Sequence, residues 1–317
     1  MNLLDRQLLF VTGKGGVGKT TVAAAIGQLA AQQGKRTLVC EMDAKGSLAA
    51  AFDCSPFPYQ PRRVDGALYG MAMNTEDSLR EYLKLFIRIP FVGRLGPLAR
   101  TFDFVADAAP GVQEILAIGK LCYEVRERHY DLVVVDAEAS GHIVSQIGAP
   151  RVIGELVQVG LVRDQTKWML DILDDPVRTG LVVVSTPEEM PVNETIELVG
   201  RVREQTRVAV AGIIVNRVLP ALFNTREAEV FDQLCGDHAQ AELVKVAGAQ
   251  VTTVFEGARL NEVRRRVGAA HLERLRTGLA DTMNSGAPML FVPELFTRAA
   301  GRRVVNLVAE ALSEELL

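Results

Sequence analysis

Gly13-Lys14-Gly15-Gly16-Val17-Gly18-Lys19-Thr20 has the spacing G-x-x-x-x-G-K-[ST], with a second lysine directly after the first glycine. Leu8-Leu9-Phe10-Val11 reads as a buried strand before it, and Thr21-Val22-Ala23-Ala24-Ala25-Ile26 opens an Ala-rich helix after it. A glycine-rich turn between strand and helix lets backbone N–H groups close around phosphates, where the helix dipole favours negative charge. Gly13, Gly15, Gly16, Val17 and Gly18, with Lys19, Thr20 and Thr21, are therefore the expected cradle of a nucleoside triphosphate. Lys19 is expected on the β- and γ-phosphates and the Thr20 hydroxyl on magnesium. A bare strand-to-helix turn would need neither lysine.

Strand-like runs alternate with longer helical segments along the chain: Leu8–Thr12, Thr37–Met42, Leu68–Met73, Asp131–Asp136, Leu181–Thr186, Val208–Asn216 and Met289–Val292. This pattern predicts an α/β fold, a P-loop NTPase with a mostly parallel twisted sheet flanked by helices. No linker rich in Gly, Ser or Pro divides the chain, so one domain is expected over 1–317. It carries a helical insertion at about 79–113, where the apolar run Tyr82 to Gly93 is broken by Pro90.

Two further motifs fall at expected strand ends. Val133-Val134-Val135-Asp136 presents an acid as a Walker B strand does, toward magnesium or its water shell, and the small residues after it through Gly141-His142 suit a phosphate-sensing switch. Glu41-Met42-Asp43-Ala44-Lys45-Gly46-Ser47-Leu48 places Asp43 where it could orient the attacking water.

Composition narrows the classes. The 317 residues carry 35 basic and 39 acidic side chains, a net charge of -4. That balance gives no electrostatic footprint for nucleic acid, and none is expected as a partner. No apolar run is long enough to span a membrane and the N-terminus lacks a signal peptide's regions, so the expected location is cytoplasmic. Cys40, Cys54, Cys122 and Cys235 form no C-x-x-C and are expected to be buried free thiols.

Together these motifs resemble the ArsA/Get-type ATPases of the deviant Walker A class, over nearly the whole chain. The resemblance rests on the two-lysine P-loop, Asp43-x-x-x-Ser47-Leu48, Asp136-x-x-x-x-Gly141-His142 and Ile213-Ile214-Val215-Asn216-Arg217. Thr186-Pro187-Glu188 with Glu194-Thr195, and Phe291-Val292-Pro293-Glu294-Leu295, follow in the same order. It implies a dimer that binds two ATP molecules with Mg2+ at its interface, hydrolyses them, and changes shape. It further implies Lys14 on the partner's phosphates, Asp43 assisting the water, Thr20 and Asp136 at the metal, and Asn216 and Pro293 at the nucleotide. An Asn amide can bond adenine as a bidentate pair.

The chain departs from the family where D-P-A becomes Asp43-Ala44-Lys45 and A-P-T becomes Glu138-Ala139-Ser140. The targeting branch's C-x-x-C is missing, and there is one P-loop rather than the pump's tandem pair. The pattern is closest to bacterial single-domain ArsA-like proteins, implying a homodimer or a heterodimer with a paralogous ATPase, and a hydrophobic client or membrane-protein partner. The opposite charges of Lys45 and Glu138 predict a pair across the two switch loops when ATP is bound, and Leu83 to Leu98 is expected to form part of a client-binding surface. A ParA/MinD-like positioning ATPase is the alternative, and it would need a basic or membrane-docking surface.

Overall fold

The computed structural model describes residues 2–83, 111–156 and 160–316. Eight strands form one sheet: β1 (Leu8–Gly13), β2 (Thr37–Glu41), β3 (Arg62–Asp65), β4 (Leu68–Ala72), β5 (Leu132–Asp136), β6 (Thr179–Ser185), β7 (Val210–Val218) and β8 (Met289–Pro293). Their order across the sheet is β3-β4-β2-β5-β1-β6-β7-β8. Every neighbouring pair is parallel except β3 with β4.

The seven expected strands are all present, with β7 displaced two residues toward the C-terminus. The eighth, β3, was not expected. Its sequence Arg-Arg-Val-Asp alternates between half-buried and exposed positions at the sheet edge. A short charged edge strand leaves no apolar signature, and it also discourages pairing with another chain.

Twelve α-helices lie among the described residues: α1 (Lys19–Gln32), α2 (Ser47–Ala51), α3 (Thr75–Tyr82), α4 (Val112–Arg126), α5 (Ile143–Leu156), α6 (Leu161–Leu173), α7 (Glu189–Gln205), α8 (Thr225–Leu234), α9 (Asp237–Ala247), α10 (Gln250–Gly278), α11 (Ala280–Asn284) and α12 (Arg302–Leu316). All residues of β1 are buried, and its side chains part by parity. Leu8 and Phe10 enter one core with α4, α5, α6 and α7, whereas Leu9 and Val11 enter a second with α1, α2 and α12. A strand covered on both faces must be apolar throughout, which is why these runs lack alternation. Residues Val22 to Ala30 of α1 are buried on every side, because α12 packs over the face turned from the sheet. Small alanines permit that approach, and at Gly27 a Cβ would lie 2.3 Å from Val39 Cγ1.

Most of the expected insertion at 79–113, and all of the Leu83–Leu98 segment beyond Leu83, lies outside the described residues. The helices that flank it, α3 and α4, pack against one another. Their contact holds Lys120, which pairs with Glu81 at 2.8 Å and Glu124 at 2.7 Å.

Candidate active site

Parallel strands carry their C-terminal ends to one edge, and β1 is the centre of this sheet, so the residues that follow it stand at the middle of that edge. Residues 13–20 wrap from β1 into the first turn of α1. Gly13 has φ +150° and an added Cβ would sit 2.1 Å from the Val184 carbonyl oxygen on β6. Gly18 has φ +94° and a Cβ there would meet Asn216 Nδ2 at 2.5 Å. No L side chain other than glycine's hydrogen fits either place. Val17 is buried and anchors the loop, while Gly15 and Gly16 are exposed with open space around them. The loop is thus fixed at its ends and open at its crown, where a phosphate chain would lie.

Lys19, Thr20 and Thr21 occupy the first turn of α1 and are half-buried. Lys19 Nζ donates to the Lys14 carbonyl at 3.3 Å, and burial lowers its pKa. Thr20 Oγ1 donates to Asp136 Oδ2 at 2.7 Å, joining the P-loop to the end of β5. Asp136 is only 7% exposed. Its other oxygen, Oδ1, is buried and has no hydrogen-bond partner among the described residues. Burial pushes its carboxyl pKa up to about 6. The Thr20 bond and Lys19 oppose that shift, and the nearby Glu41 and Asp43 carboxylates add to it. A buried carboxylate with an open oxygen beside a threonine hydroxyl is a hard donor set suited to magnesium, which keeps several waters and takes its remaining ligands from phosphates. Among the described residues no group of three or more His, Cys, Asp or Glu side chains could hold a metal by itself.

The two loops expected to act as switches flank this centre. Asp43 is exposed and pairs with Lys45. The Asp43 carboxylate, and Glu138 at longer range, hold the Lys45 pKa up; the pair between Lys45 and Glu138 is the one expected with ATP bound. The second switch is tied to the P-loop by Thr12 Oγ1 donating to the Glu138 carbonyl at 2.9 Å and by Ser140 N donating to Gly13 O at 3.2 Å.

Lys14 does not point along its own P-loop toward Asp136. It pairs with Glu194 on α7, whose second oxygen accepts from Ser140 Oγ at 3.4 Å. Arg201, also on α7, donates to the Ser140 carbonyl at 3.1 Å. In the sequence Glu194 stands only as part of a motif block. Nothing local in the sequence couples positions 14 and 194, and the contact arises from the crossing of β6 into α7.

Asn216 near the end of β7 is buried. Its Nδ2 donates to the Val17 carbonyl at 2.8 Å and its Oδ1 accepts from Arg217 N at 3.0 Å. Its amide thus braces the P-loop, leaving one N–H and one lone pair for a base. Pro293 ends β8, exposed and paired in register with Val218. The residues after both, Arg217 and Glu294, line a cavity of about 740 Å³ with Pro187, Glu188, Leu219 and His271. That volume at the ends of β6, β7 and β8 is large enough for a nucleoside.

The cysteines are free thiols, but the burial expected of all four holds only for Cys40 and Cys122; Cys54 and Cys235 are partly exposed. Burial pushes the Cys122 thiol up to about 12, which marks it as inert. Among the described residues no helix is long and apolar enough to cross a membrane.

Comparison with known proteins agrees with this geometry. The family described as anion-transporting ATPase matches residues 6–163 and 154–241. The chain is similar to ATPase BagA of Mycobacterium tuberculosis, at 30% identity over 226 residues that cover 68% of this chain and 66% of that relative, just under two thirds of its length. It is also similar to ATPase ASNA1 homolog 1 of Paramecium tetraurelia, at 26% identity over 258 residues, covering 69% of this chain and 78% of the relative. A P-loop at the centre of a parallel sheet, a threonine-bonded acid on the neighbouring strand and a match over most of residues 6–241 place this chain in the anion-transporting ATPase family, a family of ATPases.

Proposed function

We propose that this chain is a MgATP-hydrolysing switch, a single ATPase domain over residues 1–317 that works as a dimer. The Thr20–Asp136 hydrogen bond, with Asp136 Oδ1 left open beside Lys19, is the observation that carries the reading. Thr20 and Asp136 would hold magnesium, which when bound polarises the phosphates. The N–H groups of the glycine loop and the N-terminus of α1 bind the triphosphate, and Lys19 offsets charge on its terminal group. Asp43 at the mouth of the site orients a water for in-line attack. Asn216 and the cavity beside Arg217 and Glu294 receive the adenosine.

Dimer action is supported by Lys14. Its side chain stays 29% exposed and is held by Glu194 of α7 rather than over its own loop. A second copy, or a paralogous ATPase, would draw it across the interface to the partner's phosphates. The client would be a hydrophobic segment or a membrane-protein partner, and the setting cytoplasmic. In the alternative reading as a positioning ATPase, the C-terminal helix would dock on a membrane. Yet Val305, Val308, Ala309 and Leu312 of α12 are buried in the core that holds α1, so that face is already used.

The deciding experiment mixes two inactive variants. Lys14→Ala and Asp43→Asn should each abolish hydrolysis, and mixed dimers should recover part of it, since one of their sites has its own Asp43 and a partner's Lys14. Mixed dimers that form without any recovery would place Lys14 in its own subunit's chemistry.

A further inference from the structure

Glu41 is the last residue of β2 and is 3% exposed. Its side chain bends over the loop that follows. Oε2 accepts from Gly46 N at 3.2 Å, and Oε1 accepts from Ser47 N at 2.7 Å and Leu48 N at 3.4 Å. These are the first backbone donors of α2, a helix of five residues whose N-cap, Gly46, offers no side-chain cap. A helix this short does not hold itself, and its opening N–H groups need an acceptor. The acceptor usually comes from the residue at the cap; here it comes from a carboxylate five residues earlier.

The loop from Met42 to Gly46 is thus closed at both ends, by the chain at Glu41 and by the Glu41 carboxylate at Gly46. Asp43 lies inside that ring. The ring is tight, with Ala44 at φ 39° and Gly46 at φ 78°. A non-glycine residue in the left-handed region persists only where its surroundings hold it. The strand register also sets Glu41 directly beside Asp136, the acid of the metal site. Both carboxylates stand at one sheet edge, but their tasks differ. Asp136 keeps an oxygen open, whereas both oxygens of Glu41 are bound to main-chain donors.

We infer that Glu41 is a positioning residue of the ATPase reaction: by binding the Gly46, Ser47 and Leu48 amides it fixes the turn that carries Asp43 against the phosphate site. Both Glu41 oxygens are taken by main-chain donors of the turn, so its effect passes through Asp43. The inference rests on the role proposed for Asp43 above. The bound nucleotide is held by the P-loop, which Glu41 does not contact, so Glu41 acts on turnover and not on binding.

The test compares Glu41→Gln and Glu41→Ala with Asp43→Asn as reference, measuring kcat and KM for ATP and the Kd for ADP. The alanine variant should lose about tenfold or more in kcat, in line with misplacement of a group that orients a reactant. Glutamine keeps one acceptor oxygen for Ser47 and Leu48 and should recover part of that loss. KM and Kd should stay within about twofold, since uniform binding is untouched. Hydrogen exchange should quicken at Gly46, Ser47 and Leu48 in the alanine variant, and at Gly46 alone in the glutamine variant, while the Val22–Ala30 amides of α1 keep their protection.

A Glu41→Ala protein with wild-type kcat, or one whose loss falls wholly in KM, overturns the inference. If the alanine variant does not fold, the same split in the glutamine variant decides. Asp43→Asn separates the two ideas. An active Asp43→Asn enzyme removes the reading of Asp43 and this inference with it. An inactive one beside a fully active Glu41→Ala enzyme removes this inference alone.

Discussion

The C-terminal edge of β1 and β5 and the long helix α10 are built on opposite terms. Every residue of β1 and β5 is buried, and the acid that ends β5 is bonded to the first turn of α1. Helix α10 runs 29 residues, of which Glu262, Gly268 and Leu275 are buried. Helix α9 beside it buries none of its described residues. What seats this unit is local: Phe231 stacks between Phe223 at 4.6 Å and Phe255 at 5.3 Å, Gly268 meets Pro187, and Gly278 meets Ile196. Where the sheet supplies burial, polar groups can be fixed to within a hydrogen bond's length. Where it does not, a helix rests on a handful of anchors and most of its surface is open to substitution.

The sharpest test of that contrast is catalytic. Lys19→Ala should lower kcat/KM by about a thousandfold, the scale of losing one preorganised charge at a transferring phosphoryl group. Leu260→Ser on α10, where Leu260 is 61% exposed, should leave ATPase turnover within about twofold. A Leu260→Ser enzyme crippled in turnover would show that α10 belongs to the chemistry and erase the distinction.

Next in size is an anchor of α10 itself. Leu275 is fully buried in the core that also holds α6 and α7. Its replacement by alanine should destabilise the protein by about 2–4 kcal/mol, read from the urea midpoint. An effect near zero would mean that α10 is not seated by this residue.

At the other pole, the buried Asp136 should be a liability to the fold in the absence of nucleotide and divalent ions. Its pKa is raised from 3.8 to about 6. Between those values the folded protein holds a proton that the unfolded chain has released, so stability falls as pH rises through that window. Above pH 6 the cost is complete. Asp136→Asn should therefore be more stable than the parent at pH 7 by about 1–3 kcal/mol, with the difference gone near pH 4, while losing hydrolysis. Urea titrations at the two pH values check it; equal stabilities at pH 7 would show that the carboxylate is better solvated than its surroundings indicate.

The smallest expected effect belongs to the exposed valines. Val263→Ser should change stability by less than about 0.5 kcal/mol, as surface substitutions do. A loss of about 2 kcal/mol would make Val263 a packed anchor of α10.

Seven strands, the P-loop and the acid that ends β5 could be read from residue order alone, because each depends on neighbours in the chain. Apolar runs bounded by turns make buried strands, and glycines in fixed spacing before a helix make a phosphate loop. The strand β3 could not be read, since an edge of Arg-Arg-Val-Asp has no apolar pattern to betray it. Only the tertiary structure decided that Lys14 meets Glu194, that Asn216 braces Val17, that α12 covers α1, and that the Glu41 carboxylate caps α2. The first three join positions far apart in sequence and follow from which strands cross the sheet to become neighbours. The last is local in sequence yet illegible there, because an acid at a strand end announces a charge and not the three amides it will bind.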